Sequence, residues 1–260
     1  MPELPPDQQL RLQALMRLAP DAESVLEIGA RDGRVTRLLS ERYSSVLALD
    51  LQRPAFEFPH VTTAAGDVRS LQFLDRSFDL VLCTEVLEHV PELESATREL
   101  CRVARRHILV GVPHRQDLRH DRTTCAACGH RNPPYGHVHA FDEQRLFRLF
   151  PGWLPSTITH VGEVQDRTSG LAAWLMDLAG NPWGAYGAGE RCLACGSELQ
   201  AAPAYSRSLP RRIAAGIAVR LDRLQALLTQ PRAGWLHVLF SSAADSPAAA
   251  MLASPGAVKA

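Results

Sequence analysis

The sequence predicts an α/β fold in which a mainly parallel sheet carries helices on both faces. Short apolar runs alternate with helical patterns over residues 1–112, which favours parallel strands joined by crossover helices. These runs are almost continuously apolar, as expected of strands that are covered on both faces. The chain has 260 residues, of which 46% are hydrophobic, and this suits one sizeable domain with a small appendage.

The individual elements follow from the hydrophobic period along the chain. Strands are expected at 24–28, 45–49, 61–65, 78–82 and 107–112, near 156–163, and at 234–240. Helices are expected at 7–18, 34–42, 91–104, 142–150, 170–178 and 210–228. Four segments result: a core at 1–112, an insertion or lid region at 113–233 that includes the strand near 156–163, a terminal core strand at 234–240, and a tail at 241–260. The tail is rich in Ala, Ser and Pro, which predicts disorder.

Composition excludes several classes of protein. The 28 basic residues are balanced by 28 acidic ones, so the whole chain has no basic field for nucleic acid. No apolar run approaches the ~20 residues of a membrane span. The N-terminus has neither the basic start nor the apolar core of an export signal, which predicts a cytoplasmic protein. Six cysteines in such a protein indicate reduced thiols or metal ligands rather than disulfides.

The segment Val-Leu-Glu-Ile-Gly-Ala-Arg-Asp-Gly at 25–33 predicts a strand, a tight glycine turn and a helix start. A cofactor can approach such a turn, because glycine has no side chain and tolerates positive φ. A purely structural βα turn is the simpler interpretation. A cofactor turn is favoured by the acidic residues at the ends of four successive strands: Glu27, Asp50, Asp67 and Glu85. The carboxyl ends of parallel strands meet at one sheet edge, where ligands bind, and an acid after the second strand suits a ribose diol.

Residues 78–90 read Phe-Asp-Leu-Val-Leu-Cys-Thr-Glu-Val-Leu-Glu-His-Val, and with this motif the sequence resembles the class I S-adenosylmethionine-dependent methyltransferases. The resemblance covers roughly residues 20–115 and the terminal strand. It implies a Rossmann-like fold and S-adenosylmethionine (SAM) as the cofactor. The family usually has three glycines in the first turn, and Arg31 stands at the position of the middle one. Arg31 either crowds the methionine end of the cofactor or points to solvent.

The resemblance also implies a set of cofactor-binding residues. Residues around Gly29 would surround the aminocarboxypropyl group, Asp50 would hold the ribose, Asp67 and Val68 would contact the adenine, and Thr84 would lie beside the sulfonium. The full predicted set is Glu27, Gly29, Ala30, Gly33, Asp50, Leu51, Asp67, Val68 and Thr84. His89 is the predicted catalytic base, with a structural histidine in the turn as the alternative; His114 is a weaker candidate. A base is needed only where the acceptor must lose a proton.

The predicted activity is methyl transfer to a small molecule or to a glycan or lipid precursor. One alternative is a catalytically inactive interaction module, which Arg31 favours. Another is a nucleic-acid methyltransferase, whose Asn-Pro-Pro-Tyr motif occurs here at 132–135, in the wrong place for that function. A nicotinamide dehydrogenase is disfavoured, because the turn lacks the Gly-x-Gly-x-x-Gly spacing.

Two Cys-x-x-Cys-Gly loops predict a small insertion stapled by zinc. Their cysteines are Cys125, Cys128, Cys192 and Cys195. Four thiolates suit a closed structural Zn²⁺ site, although the pairs lie much farther apart than the ~15–20 residues of a zinc ribbon. One of His130, His137 and His139 replacing a cysteine is the main alternative, and two turns without metal are another. His137 and His139 either brace this loop or face the acceptor as part of a lid.

The helix predicted at 210–228 is basic. An apolar stripe of Ile213, Ile217, Leu221, Leu224 and Leu228 accompanies several arginines and one acid, Asp222. The simplest interpretation is a packed helix with a solvated basic face. The alternative is a surface for an anionic acceptor or a peripheral membrane contact.

Overall fold

The protein was analysed as a computed structural model that describes residues 5–200 and 208–243. Six α-helices lie in these ranges: α1 Pro6–Leu18, α2 Arg34–Ser40, α3 Leu93–Val103, α4 Glu143–Leu149, α5 Gly170–Ala179 and α6 Leu209–Leu228. The strands are β1 Val25–Ile28, β2 Val46–Asp50, β3 Val61–Ala65, β4 Phe78–Thr84, β5 Ala104–Pro113, β6 Thr123–Thr124, β7 Arg131–Asn132, β8 Trp153–Val164 and β9 Arg232–Ser242. None of these helices is long and apolar enough to cross a membrane.

Seven strands form one sheet in the order β3-β2-β1-β4-β5-β9-β8. The pairs β2–β3, β1–β2, β1–β4 and β4–β5 are parallel, and β9 runs antiparallel to β5. The predicted Rossmann-like α/β fold is confirmed. The terminal strand is longer than predicted, because Ser241 and Ser242 belong to β9; residues 244–260 of the predicted tail lie outside the described residues.

The chain divides into two compact units. Of the described residues, the core unit comprises 5–113, 142–162 and 235–243, and the cysteine unit comprises 114–141, 163–200 and 208–234. Within the core unit, β1, β4 and β5 contribute Val25, Leu80, Leu82 and Leu109 to one apolar cluster. Leu15 of α1 packs into the same cluster. Removal of this apolar surface from water is the main stabilising contribution to the sheet.

Asp79 joins the starts of β1 and β4. Its Oδ2 accepts hydrogen bonds from the backbone amides of Glu23 at 3.1 Å and Ser24 at 3.3 Å. Its Oδ1 accepts a hydrogen bond of 2.8 Å from Nε of Arg105. The Asp79 side chain is only 4% exposed. Burial alone would raise the pKa of this carboxyl, but Arg105 and the two amides outweigh burial and lower it. The aspartate of the Phe-Asp motif therefore has a structural role.

We expect Asp79→Asn to lower the free energy of unfolding by about 2 kcal/mol at pH 7, since it removes the charge that these donors stabilise. A lowered folded-state pKa stabilises the fold above the unfolded-state value, and this contribution is lost as the pH falls through the folded-state pKa. The difference between variant and wild type should therefore shrink below about pH 4. Urea denaturation across this pH range measures it. Asp21→Asn, at a fully exposed carboxylate, is the matched control; an equal loss in that variant would contradict the prediction.

Candidate cofactor and metal sites

The turn after β1 is held by backbone hydrogen bonds to the end of β2. The amides of Gly29 and Ala30 donate to the carbonyl oxygen of Leu49 at 2.8 and 3.2 Å. Gly29 adopts a φ of 81°, and a Cβ built on it would lie 2.4 Å from Cγ2 of Val86. Both the conformation and the contact require glycine at this position. The predicted glycine turn is thus present at the carboxyl end of β1.

Asp50, at the end of β2, closes this turn. Its Oδ2 accepts a hydrogen bond of 2.8 Å from the backbone amide of Arg31, and its Oδ1 accepts one of 2.7 Å from the amide of Leu51. Arg31 is exposed and adopts the left-handed φ of 43° that a glycine would adopt without strain. The substitution of the usual glycine by arginine therefore leaves the turn intact.

A cavity of about 170 Å³ lies beside the turn. Four residues of the predicted cofactor set line it: Glu27, Gly29, Ala30 and Thr84. The remaining lining residues come from the turn, from α2, from the end of β4 and from α1: Arg31, Asp32, Arg34, Val35, Glu85, Gln8, Arg11 and Leu12. The cavity therefore gathers the ends of β1 and β4 under the first helix of the chain.

Glu27 is the most perturbed ionisable group of this cavity. It is 2% exposed, and its Oε2 has no hydrogen-bond partner among the described residues. Burial raises the pKa of Glu27 to about 7; the neighbouring hydroxyl of Thr36 opposes this shift, while Asp32 and Asp50 add to it. Near neutral pH the cavity therefore contains a carboxyl group that a cationic ligand would ionise.

Arg11 of α1 is a cavity residue that the sequence analysis missed. Its Nη2 lies 3.0 Å from Oε1 of Glu85, and its guanidinium carbon lies 4.1 Å from the centre of the Trp235 ring. The ion pair and the ring together fix a cation over the cavity. The helical pattern at 7–18 predicted α1, but no pattern along the chain indicates which strand ends this helix faces.

His237 of β9 was missed as well. It lines a small adjoining pocket with Arg11, Thr84 and Trp235. It is 3% exposed, and burial lowers its pKa to about 4, with a further contribution from the charge of Arg11. His237 is therefore neutral at physiological pH. In the sequence, the only indication of this residue is a histidine within an apolar strand.

The other predicted cofactor residues lie along the same sheet edge but do not line the cavity. Gly33 packs against the ring of Phe56, and Val68 is buried. Leu51 is 72% exposed. Both oxygens of Asp67 accept hydrogen bonds from the Arg69 side chain, which lowers the pKa of Asp67. The carboxylate expected at the adenine is thus already paired.

The segment after β4 forms a 3-10 turn at Leu87–His89. Glu88 is fully buried, and burial raises its pKa to about 8. His89 is exposed in this turn and does not line the described cavity beside Glu27. The alternative candidate, His114, is 7% exposed and belongs to the cysteine unit. The assignment of His89 as a catalytic base remains a prediction.

The two cysteine loops meet within the cysteine unit. The Sγ atoms of Cys125 and Cys195 lie 3.7 Å apart, and those of Cys128 and Cys192 lie 3.6 Å apart. All four Sγ atoms lie within 4.8 Å of one another. Four sulfurs each about 2.3 Å from a tetrahedral Zn²⁺ would be about 3.8 Å apart. The sulfur set is therefore complete for this geometry without a histidine.

Asn132 connects the two loops. Its Oδ1 accepts a hydrogen bond of 2.8 Å from the backbone amide of Leu193, and its Nδ2 donates to Sγ of Cys192 at 3.5 Å. Asn132 is 1% exposed. The Asn-Pro-Pro-Tyr segment thus begins with a buried structural residue. Nδ1 of His137 lies 2.6 Å from Oε1 of Gln116.

Comparison with known proteins supports the fold and one domain. Residues 26–108 match the model of a family described as a methyltransferase domain. The search of curated proteins gives no match.

Solved structures share the fold at low sequence identity. The YcgJ protein of Bacillus subtilis has a TM-score of 0.53 and 14% identity, over 90% of this chain and 98% of that protein. A putative methyltransferase of Bacillus halodurans C-125 has a TM-score of 0.53 and 13% identity, over 88% and 97%. A chain from a complex of the Haloferax volcanii Trm112 methyltransferase activator with the putative methyltransferase has a TM-score of 0.52 and 12% identity, over 91% and 90%.

The ionisation of Glu27 makes stability depend on pH. Its folded-state pKa is about 7 against the ordinary value of 4.5, so the unfolded chain ionises first and stability falls as the pH rises between these values. We expect Glu27→Gln to raise the free energy of unfolding relative to wild type by about 3 kcal/mol more at pH 8 than at pH 4. Urea denaturation at the two pH values gives this difference, and Glu41→Gln, at an exposed carboxylate, is the control. Parallel pH profiles of wild type and Glu27→Gln would contradict it.

Proposed function

We propose that the chain is a SAM-dependent methyltransferase that transfers the methyl group to a small molecule or to a glycan or lipid precursor; the methyltransferase domain at residues 26–108 and the fold support this proposal. The observation that carries the assignment of the cofactor site is the buried Glu27 in the cavity beside the glycine turn. SAM has a cationic amino group and a cationic sulfonium. A buried carboxyl whose oxygen has no partner among the described residues is the matching group for such a cation.

The proposed orientation of SAM follows from the size of the cavity. About 170 Å³ is smaller than the ~300–1,000 Å³ of complete small-molecule sites. The cavity therefore receives the amino-acid end of SAM, and the nucleoside lies along the sheet edge. Asp50 suits the ribose, because a carboxylate has about four lone-pair sites and only two backbone amides use them here. The exposed side chain of Leu51 offers an apolar surface to the adenine.

When bound, SAM supplies an activated methyl group, so the chain has to position the reactants and exclude water. Thr84 and Ala30 line the cavity and would contact the sulfonium end. Arg11 of α1, which contacts Glu85 and Trp235, would cover the sulfonium end. His237 accepts no proton near neutral pH, because burial lowers its pKa to about 4. His237 is therefore not the base near neutral pH, and His89 stays the predicted base where the acceptor must lose a proton.

The balanced charge of the chain supports a small or lipid-like acceptor over a nucleic acid. The counts of 28 basic and 28 acidic residues give no net attraction to a polyanion. The buried position of Asn132 supports the same choice, since the Asn-Pro-Pro-Tyr segment then has a structural explanation in the cysteine unit.

Transfer of labelled methyl groups tests this proposal. Protein incubated with methyl-tritiated SAM and a cell extract is expected to label the small-molecule or lipid fraction. Asp50→Ala should weaken SAM binding roughly 100-fold in isothermal titration, because it removes two charge-assisted hydrogen bonds to the ribose, and should abolish labelling.

Asp21→Ala, at an exposed aspartate of the same unit, is the control and should leave both measurements unchanged. Since Asp50 also closes the glycine turn, circular dichroism should establish that Asp50→Ala is folded. Label in a nuclease-sensitive polymer would contradict the acceptor class. SAM binding without any transfer would instead favour the inactive module.

We also propose that the four cysteines hold one structural zinc ion. The sulfur spacing of 3.6 and 3.7 Å agrees with a tetrahedral site, and all four positions are taken by cysteine. A closed site leaves no position for substrate, so the metal would stabilise the cysteine unit rather than take part in methyl transfer.

Metal analysis of the purified protein is expected to give about one zinc per chain. Cys128→Ser should lose this zinc and lower the melting temperature, because the metal links two loops that are distant in sequence. Cys101→Ser, at a half-buried cysteine of α3 outside the cluster, should keep the zinc. Full zinc content in Cys128→Ser would exclude the four-cysteine site.

A further inference from the structure

Helix α6 of the cysteine unit carries its large apolar side chains on the outside. These exposed residues, called the outer stripe, are Leu209, Ile213, Ile217, Leu224, Leu227 and Leu228. Their exposed fractions range from 43% for Ile217 to 87% for Leu228. The buried residues of α6 are two small ones, Ala215 and Ala218. The helix is packed and its arginines are solvated, as the simplest interpretation expected, but the predicted apolar stripe is not the packed face: Leu221 is half-buried and the other four members are exposed.

The outer stripe is one continuous surface. Successive members are three, four or seven residues apart, except that Leu227 and Leu228 are adjacent and lie three and four residues after Leu224, so all of them share one face of the helix. A 20-residue helix is about 30 Å long, and the stripe runs from its first residue to its last. Exposed apolar surfaces of this extent mark contact sites for a partner or a membrane.

The exposed side of α6 is also positively charged. Arg212, Arg220 and Arg223 are exposed beside or within the stripe. The only acid of the helix, Asp222, is turned away: it is partly buried, and its Oδ1 accepts a hydrogen bond of 2.8 Å from the hydroxyl of Thr168. The surface that solvent meets on α6 therefore combines aliphatic side chains with uncompensated positive charge.

The neighbouring helix α5 has a second exposed apolar face. Leu171, Trp174 and Leu178 are about half exposed and lie at helical spacing on α5, which packs against α6. A tryptophan with an apolar body and a polar N–H suits the boundary between water and lipid headgroups. Helix α5 thus adds exposed apolar surface, including a tryptophan, to that of α6.

Charge decides which partner fits. A second copy of the chain packed by two-fold symmetry would place the α6 arginines against one another with no acid on that face. A bilayer with anionic lipids offers phosphates to the arginines and acyl chains to the stripe at the same depth. We propose that α6, assisted by α5, docks the protein on an anionic lipid surface. This proposal does not rest on methyl transfer, and its test uses neither SAM nor acceptor.

Vesicle flotation of the full chain tests the docking surface. The protein should float with vesicles of phosphatidylcholine mixed with phosphatidylglycerol, and much less with phosphatidylcholine alone. The double variant Ile213→Glu/Leu224→Glu should weaken this binding roughly tenfold or more, since it puts charge into the inserted face. Both positions are exposed, so the fold should tolerate the change. Leu74→Glu, at an 83% exposed leucine of the core unit, is the matched control and should bind like wild type.

A second variant tests the contribution of the α6 arginines to vesicle binding. Arg212→Gln/Arg223→Gln should weaken binding to the anionic vesicles roughly fivefold per arginine, and added salt should weaken wild-type binding in the same direction. Equal binding to neutral and anionic vesicles would overturn the anionic lipid assignment. Unchanged binding of Ile213→Glu/Leu224→Glu would overturn the docking surface. A wild-type dimer in size-exclusion chromatography that this variant separates would assign the stripe to a second copy instead.

Discussion

The hydrogen bonds between the end of β2 and the turn after β1 are the constraint on which the cofactor region depends. Leu49 and Asp50 accept amides from Gly29, Ala30 and Arg31, so the second strand determines the shape of the first turn. Because β1 and β4 are also neighbours, this turn lies against the segment that follows Thr84. The cavity arises from this arrangement. The two parallel strands β1 and β4 end together, and the turn between β1 and α2 has a glycine at the position that Val86 approaches.

The same arrangement explains why the cavity is electrostatically incomplete. The end of β1 buries Glu27, and Asp32 and Asp50 lie close enough to raise its pKa further. Two basic side chains that line the cavity pair with other acids: Arg11 with Glu85, and Arg34 with Asp32. A buried carboxyl in this situation remains protonated or attracts a cation from outside the chain. The stability that the fold loses at Glu27 as the pH rises from 4.5 to about 7 is what a cationic ligand would recover on binding.

The sequence was sufficient where a feature is local. Strands covered on both faces are apolar throughout, so β1 and β4 appear in the sequence almost at their observed bounds. The glycine turn and the acid at the end of β2 follow from the order of the strands. Features that depend on distant contacts were not accessible: Arg11 reaches Trp235 across most of the chain, and no period reveals it. The Phe-Asp motif lies in the segment that matches the methyltransferase domain, while only the structure identifies Asp79 as a link between strand starts.

Two helical patterns show how far periodicity can be used. The apolar period of α6 was recognised correctly, but the period says only that those residues share a face, not whether that face is inside. The small side chains of Ala215 and Ala218 decide the matter, because they let α6 pack closely while its leucines remain outside. The helix predicted at 7–18 is likewise present as α1, where Leu15 is buried, yet Leu10 of the same helix is 49% exposed. For helices at the surface of an α/β protein, the size of the residues opposite the apolar stripe is therefore as informative as the stripe.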